Sequence, residues 1–518
     1  MNGIRKILKF GPGVKTLSVV LLLATVAALV PICLLTRYAI PFFDDYGYSA
    51  PVWVYYMQGG FRPKGVIAGA IKNALFMRYM WQGTYGSIFL MGLNPMVFGE
   101  QYYYLGCLFL IVNFTLSVFA FVGILVKKVF QGKGFTILGM QAGVFLLVLL
   151  YLYSPQQGFY WFNGGIHYLG MMSFELYYLS VLLLLLLPKK GTEKKVLHII
   201  LTVVGVIVSM GLAFLVAGAN FVTALQTPIL ILSAMALALI LKKKRALLFL
   251  PSLIVYGVGL YFNISAPGNA VRQACYPNTP GAVESVLRSF TESVKYFREF
   301  SDWRTLLHLF LLFPVVWVLV RPDGKKRYPL WGVPVLAFWS VCVFAATFTP
   351  GLYGTGEIVL DRMINVIKLT YHLLLVFNMV YFVGAFREFF SGECRIKKLQ
   401  KFTDAINREE KVRVPILVIL LWAGLSYLVY SKSPNKTGQY SVHGAVFYLW
   451  DKEAVRLKSE YNLRVVQLKM PEQDIVFEPY SVRPWFLIWK DLSTNPAADE
   501  NREMAYYYGK KTVRIREQ

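Results

Sequence analysis

The sequence predicts an all-α polytopic membrane protein with about eleven transmembrane helices, interfacial helices outside the bilayer and a small α/β region at the C-terminal end. Three observations carry this reading. Hydrophobic residues make up 56% of the 518-residue chain and the mean hydropathy is +0.51, more apolar side chain than a soluble domain of this size can bury, so part of it faces lipid. The apolar residues are gathered into runs of about 15 to 25, most of them long enough to cross a hydrocarbon core of roughly 30 Å. The positive charge, formally +25, sits in clusters between those runs, such as Lys242-Lys243-Lys244-Arg245 and the 321–327 segment with Arg321, Lys325, Lys326 and Arg327. That is where topology-setting charge belongs.

The first run, 17–35, follows Arg5, Lys6, Lys9 and Lys15. No small-residue cleavage site follows it, so it reads as an uncleaved anchor. Further runs lie at 102–126, 134–153, 168–187, 196–214, 221–241, 246–263, 306–320, 328–349, 364–386 and 414–430. With a cytoplasmic N-terminus, the loops 127–133, 188–195, 242–245, 321–327 and 387–413 are inside, and each is rich in Lys or Arg. The outside segments are then 37–100, 154–167, 215–220, 264–305, 350–362 and the tail from 431. This divides the chain into a transmembrane domain, 1–430, with its first external loop at 37–100, and an extracytoplasmic C-terminal domain, 431–518. Within the first loop, 51–60 and 65–80 suit helices in the interfacial plane. In the tail, 463–468 and 474–477 alternate as strands do. The stretches 83–99 and 154–167 are borderline as spans, and 154–167 reads as a re-entrant loop.

Several classes are disfavoured. Basic residues scattered over many short loops make no continuous groove for a phosphate backbone, so nucleic acid is not an expected partner. Cys33, Cys107, Cys275, Cys342 and Cys394 show no paired spacing and suggest neither a disulfide framework nor a zinc site. His198, His308 and His372 fall at or within runs and read as satisfied by helix neighbours. No Walker lysine, dinucleotide glycine fingerprint or zinc-protease helix is present, which argues against a nucleotide-driven pump. Unequal loops and runs nearly free of charge argue against a repeat-built transporter.

Three constellations could carry chemistry. Asp44 and Asp45, within Phe42-Phe43-Asp44-Asp45-Tyr46-Gly47-Tyr48, follow the first run closely. Adjacent carboxylates at a membrane surface repel each other and lose hydration, so one should have a raised pKa and suit general-base work. The same pair also fits an acidic turn with no further role. Ser265-Ala266-Pro267-Gly268-Asn269-Ala270-Val271-Arg272 offers a turn and a guanidinium able to hold phosphate oxygens, Asn269 and Arg272 being the candidates. Arg78, Arg304 and Arg362 are further external cations, and the alternative for each is a snorkelling side chain. Tyr160, Trp161, Asn163 and His167, together with Trp81, place aromatic faces beside amide and imidazole groups, as sugar binding requires. An interfacial aromatic belt explains the rings equally well.

Taken together, an Asp-Asp pair opening a long external loop after the first span, followed by many further spans, resembles the GT-C superclass of membrane glycosyltransferases. More narrowly, Asp44-Asp45-Tyr46, Trp81-Gln82-Gly83, Tyr160-Trp161, Pro267-Gly268-Asn269 with Arg272, and the terminal Ala505-Tyr506-Tyr507-Tyr508-Gly509 look like an uncharacterised bacterial family of that kind. The resemblance implies transfer of a sugar from a polyprenyl-phosphate donor to an envelope glycan, polymer or lipid acceptor, at the outer face of the cytoplasmic membrane. It makes Asp44 or Asp45 the catalytic carboxylate and Arg272 a ligand of the donor phosphate. Some superclass members need a divalent metal, Mg or Mn, which Asp44 and Asp45 could hold with Glu357 or Asp361 as distant helpers. The alternatives are a transporter or flippase of a lipid-linked substrate and a non-catalytic envelope-assembly protein.

Overall fold

Inside a bilayer every backbone N–H and C=O must find its partner within the protein, so apolar runs fold as helices. The computed structural model, which describes residues 13–187, 195–320, 327–358, 360–391 and 441–517, is built mainly of them. Among the described residues, eight helices are long and apolar enough to cross a membrane: Val14–Tyr38, Glu100–Lys128, Phe162–Leu186, Val196–Ala217, Phe221–Ile240, Lys244–Ile264, Gly332–Thr355 and Asp361–Phe389. The protein is therefore a multi-pass, all-helical membrane protein. The 196–217 helix shows the lipid-facing pattern most plainly, with Val196, Ile199, Val203 and Ile207 exposed along it.

The remaining expected runs differ in form. The 306–320 run is the second arm of a pair, Ala282–Phe300 and Trp303–Leu319, bent by 72° at the break; taken as one span it makes a ninth. The 134–153 run is the helix Phe135–Leu150, 16 residues long and so shorter than the roughly 20 that span a bilayer. It lies parallel to the first span: Ser18 Oγ donates to Phe135 O at 2.7 Å and Thr25 Oγ1 approaches Ala142 O at 3.5 Å. Gly139 permits the approach, since a Cβ there would lie 2.5 Å from Ser18 Oγ, and Gly143 admits the 303–319 helix on another side, where a Cβ would lie 2.2 Å from Leu312, the small-residue contacts expected between membrane helices. The 414–430 run lies outside the described residues, as do the basic segments 188–194 and 321–326 and most of 387–413.

The expectation that the spans are nearly free of charge needs correction. Glu175 is buried in the 162–186 helix, where it accepts Gln226 Nε2 at 2.8 Å and Thr227 Oγ1 at 2.9 Å, and Thr370 Oγ1 donates to Gln226 Oε1 at 2.9 Å. Lys368 lies 5.2 Å from the Phe300 ring. His308 Nε2 meets Gly143 O at 2.8 Å, as anticipated, but His372 Nε2 is buried with no partner. A single polar residue disappears in the average over a run, which is why run-based reading passed over these.

The segment after the first span forms the helices Asp45–Gln58, Pro63–Met80 and Tyr85–Met91. Gly65 lets the first two touch, because a Cβ there would lie 2.6 Å from Tyr55 O. The C-terminal segment adds the helices Ser441–Trp450, Glu453–Leu468 and Asp499–Tyr508. Its two strands, Asp474–Phe477 and Thr512–Ile515, pair in parallel. The 463–468 stretch is helical, not extended: Tyr461, Arg464 and Leu468 share one buried helix face, a period that a six-residue window cannot tell from alternation. This segment packs on the loop end of the bundle, where Tyr461 OH meets Tyr46 OH at 3.3 Å, Tyr507 OH donates to Met96 O at 2.9 Å and Ser441 Oγ donates to Leu149 O at 2.6 Å.

One buried ion pair organises that segment. Arg464 donates to both carboxylate oxygens of Asp491 at 2.6 and 2.9 Å, and its guanidinium lies 3.5 Å from the centre of the Tyr480 ring. Removing one member of such a pair strands the other charge, at a cost of about 3–5 kcal/mol. Asp491→Ala should therefore loosen residues 441–517, read as faster limited proteolysis in that segment with the remaining helices still protected.

Candidate functional site

The two carboxylates are placed by a strained turn. Phe43 has φ +53°, an uncommon conformation for a bulky residue, and it delivers Asp44 and Asp45 to the start of the 45–58 helix. Asp45 is fully buried. Its Oδ2 accepts Tyr103 OH at 2.7 Å and the Phe42 amide at 3.3 Å, and its Oδ1 accepts the Asn163 amide at 3.1 Å.

The donor amide is free because of local backbone geometry. Trp161 is extended between π-helical Gln156–Tyr160 and the short helix Phe162–Gly165. The amides of Phe162 and Asn163 thus open a new helix and have no carbonyl one turn back. Phe162 N–H donates to Tyr103 OH at 2.9 Å, and Asn163 N–H donates to Asp45. Burial first, and then the charge of Asp44, push the Asp45 carboxyl well above its ordinary value.

Asp44 is half-buried. Asn163 Nδ2 donates to its carbonyl at 3.0 Å and reaches its Oδ1 at 3.4 Å. Burial lifts its carboxyl to about 6, against the pull of the Arg362 charge and the Asn163 amide. Arg362 donates to Gln157 Oε1 at 3.2 Å and lies 4.9 Å from the centre of the Trp161 ring. Arg272, by contrast, donates to Gln82 Oε1 and stacks 5.9 Å from the Trp81 ring. Tyr48 lies within electrostatic reach of both Asp44 and Arg272, and His167 within reach of both Arg272 and Arg362. His167 Nδ1 pairs with Ser87 Oγ at 2.7 Å.

Other expected residues have structural partners. Asn269 accepts the Gly83 amide at 2.9 Å and donates to Asn263 O and Ile264 O at 2.8 and 3.1 Å. The Trp81-Gln82-Gly83 and Pro267-Gly268-Asn269 motifs are thus one clamp, closed so tightly that a Cβ on Gly268 would lie 2.6 Å from Trp81 N. That clamp aims Arg272. Arg78 holds the adjacent chain through Phe262 O and Ser265 Oγ at 3.4 and 3.3 Å. Tyr160 is core, its hydroxyl on Ile32 O at 3.0 Å and its ring stacked on Phe486. Arg304 faces Asp302 at 3.7 Å.

Glu503, from the far end of the chain, was not anticipated. A Cβ on Gly47 would lie 2.7 Å from its carboxyl carbon. Burial first, and then the charge of Asp44, push this carboxyl up to about 8. The stretch Ala505–Tyr508 begins two residues later and was the only signal near it.

Three polar atoms here are buried without a hydrogen-bond partner: Trp161 Nε1, Asn163 Oδ1 and Glu503 Oε2. Buried polar atoms are rarely left unpaired, so this cluster holds unused donor and acceptor capacity. Among the described residues, no group of three or more His, Cys, Asp or Glu is placed to hold a metal.

The chain matches no protein-family model, no curated protein and no solved structure at a significant level.

The Glu503 environment predicts a pH-dependent stability. The folded protein holds this proton more tightly than the unfolded chain, so the contribution is fully present below pH about 4.5 and is lost as pH rises through about 8. Glu503→Gln should flatten the fall in melting temperature between those limits and raise the melting temperature above pH about 8.

Proposed function

We propose that the protein is a membrane glycosyltransferase. It moves a sugar from a polyprenyl-phosphate donor to a hydroxyl of a cell-envelope glycan, polymer or lipid, at the outer face of the cytoplasmic membrane, with the N-terminus cytoplasmic. The observation that carries this reading is the cluster in which a carboxyl of raised pKa, Asp44, lies under the charge of the Arg362 guanidinium beside unpaired Trp161 and Asn163 atoms. A base poised near 6 is largely ionised at neutral pH yet still basic enough to accept a hydroxyl proton.

Asp44 takes the proton of the acceptor hydroxyl. The acceptor oxygen attacks the anomeric carbon from the face opposite the phosphate, the carbon–oxygen bond to phosphate breaks, and polyprenyl phosphate leaves with the bonding pair. Arg362, with N–H donors beyond its bond to Gln157, neutralises the charge growing on the leaving phosphate. Arg272 extends the same cationic wall. Asp45 fixes the cluster by binding Tyr103 and Asn163 and needs no proton transfer of its own.

A second reading, a flippase or transporter of a lipid-linked substrate, is favoured by a separate feature. An apolar cavity of about 350 Å³ between the spans is lined in part by Glu175, Gln226 and Thr370. In that reading the carboxylate cluster binds without reacting.

The two readings separate on one variant. Purified protein, given a panel of polyprenyl-phosphate-linked sugars and membrane acceptors, should lose about 10²-fold or more of its transfer rate in Asp44→Asn while still inserting and folding. The wild-type rate should fall about tenfold per pH unit below pH about 6, as Asp44 takes up its proton. An Asp44→Asn protein with undiminished transfer would remove the proposed chemistry.

A further inference from the structure

Tyr461, whose hydroxyl meets Tyr46, also forms part of the wall of a separate cavity of about 520 Å³. Three pieces of chain meet around it: the end of the first span, the start of the 103–128 helix, and the 453–468 helix. Its charged lining consists of Arg37, Lys458, Lys469 and a single carboxylate, Glu100. Glu100 is already committed to Lys469 at 3.3 Å. Arg37 and Lys458 have no carboxylate within 4 Å among the described residues. Lys458 gives one hydrogen bond, to Ala39 O at 3.1 Å, and burial lowers the pKa of its ammonium.

Three cations against one carboxylate, Glu100, which also acts on Lys458 at longer range, leave the cavity with surplus positive charge that favours an anion there. We propose that this cleft binds the phosphodiester of an anionic phospholipid headgroup, in the leaflet where the first span ends. Its depth argues for a lipid: Arg37 is the last but one residue of the first span, Val14–Tyr38. Tyr38 follows it at the end of that span, and Tyr104, near the start of the Glu100–Lys128 span, lines the cavity, the level at which tyrosines meet headgroups. The Arg37 guanidinium can take two phosphate oxygens in a bidentate fork, with the Lys458 ammonium as the second contact. A zwitterionic headgroup carries its own cation and gains less. Because Lys458 belongs to the segment that also supplies Glu503, a bound lipid ties that segment to the membrane. The site stands whether or not Asp44 does chemistry.

The test uses the full-length protein in detergent, titrated separately with dihexanoyl phosphatidylglycerol, dihexanoyl phosphatidylcholine and inorganic phosphate, with binding followed by calorimetry. Phosphatidylglycerol should bind at least about tenfold tighter than phosphatidylcholine, the scale of one charge-assisted hydrogen bond. That preference should vanish in the Arg37→Gln/Lys458→Gln double variant and survive in Lys511→Gln. Arg37→Gln alone, at an exposed position, should weaken it, and so should added salt on the wild type; these two arms do not depend on the double variant folding. Equal affinity for the two lipids, or an undiminished preference in both Arg37 variants, overturns the proposal. Inorganic phosphate binding as tightly as phosphatidylglycerol overturns the assignment of the anion to a lipid.

Discussion

A carboxyl group taken fully out of water needs donors in the water's place, and the three bonds that Asp45 accepts supply them and offset its burial in part. The donors come from places the chain would otherwise have no reason to join. One is the amide of Phe42 in the same turn, one is the Tyr103 hydroxyl at the start of a span, and one is the Asn163 amide released by the break at Trp161. Each bond restricts a different element, so the loop after the first span, the 103–128 helix and the 154–167 segment share one geometry. The positive φ of Phe43 persists because that geometry over-determines it.

The same economy governs the cations. Arg362 and Arg272 are each held by one glutamine side chain, Gln157 and Gln82, an arrangement that fixes a guanidinium without neutralising it. Arg464 is the opposite case, closed off by a bidentate carboxylate and an aromatic face. Neutral hydrogen-bond partners keep a charge available to a ligand, whereas an ion pair spends it on structure.

Much of the membrane architecture was legible because burial in lipid writes itself into long apolar stretches. Eight of those stretches are long apolar helices in the structure, and Asp44-Asp45 stands out as an acidic pair against such a background. Which cation acts on the pair was only partly legible. Sequence reasoning offered Arg272 for a phosphate and named Arg362 among further external cations, and it is Arg362, at the opening of the last described span, whose charge acts on Asp44. Asn269 was read as a ligand-binding amide because side-chain type shows capacity for hydrogen bonds and says nothing of whether neighbouring carbonyls have already used it. Glu503 and the buried Glu175 were missed for related reasons: the first depends on a fold that returns a distant segment, and the second is one residue in a long apolar run.

The contact between Tyr46 and Tyr461 joins positions 415 residues apart, with Glu503 arriving later still. A chain emerging from the ribosome would thread most of its helices into the bilayer while the cluster by the first span still lacked a side. Late closure of this kind separates insertion from maturation: a protein shortened at its far end could be stably embedded and yet inert. It also means that damage confined to residues 499–508 would be felt at Gly47 and its neighbours in the loop after the first span.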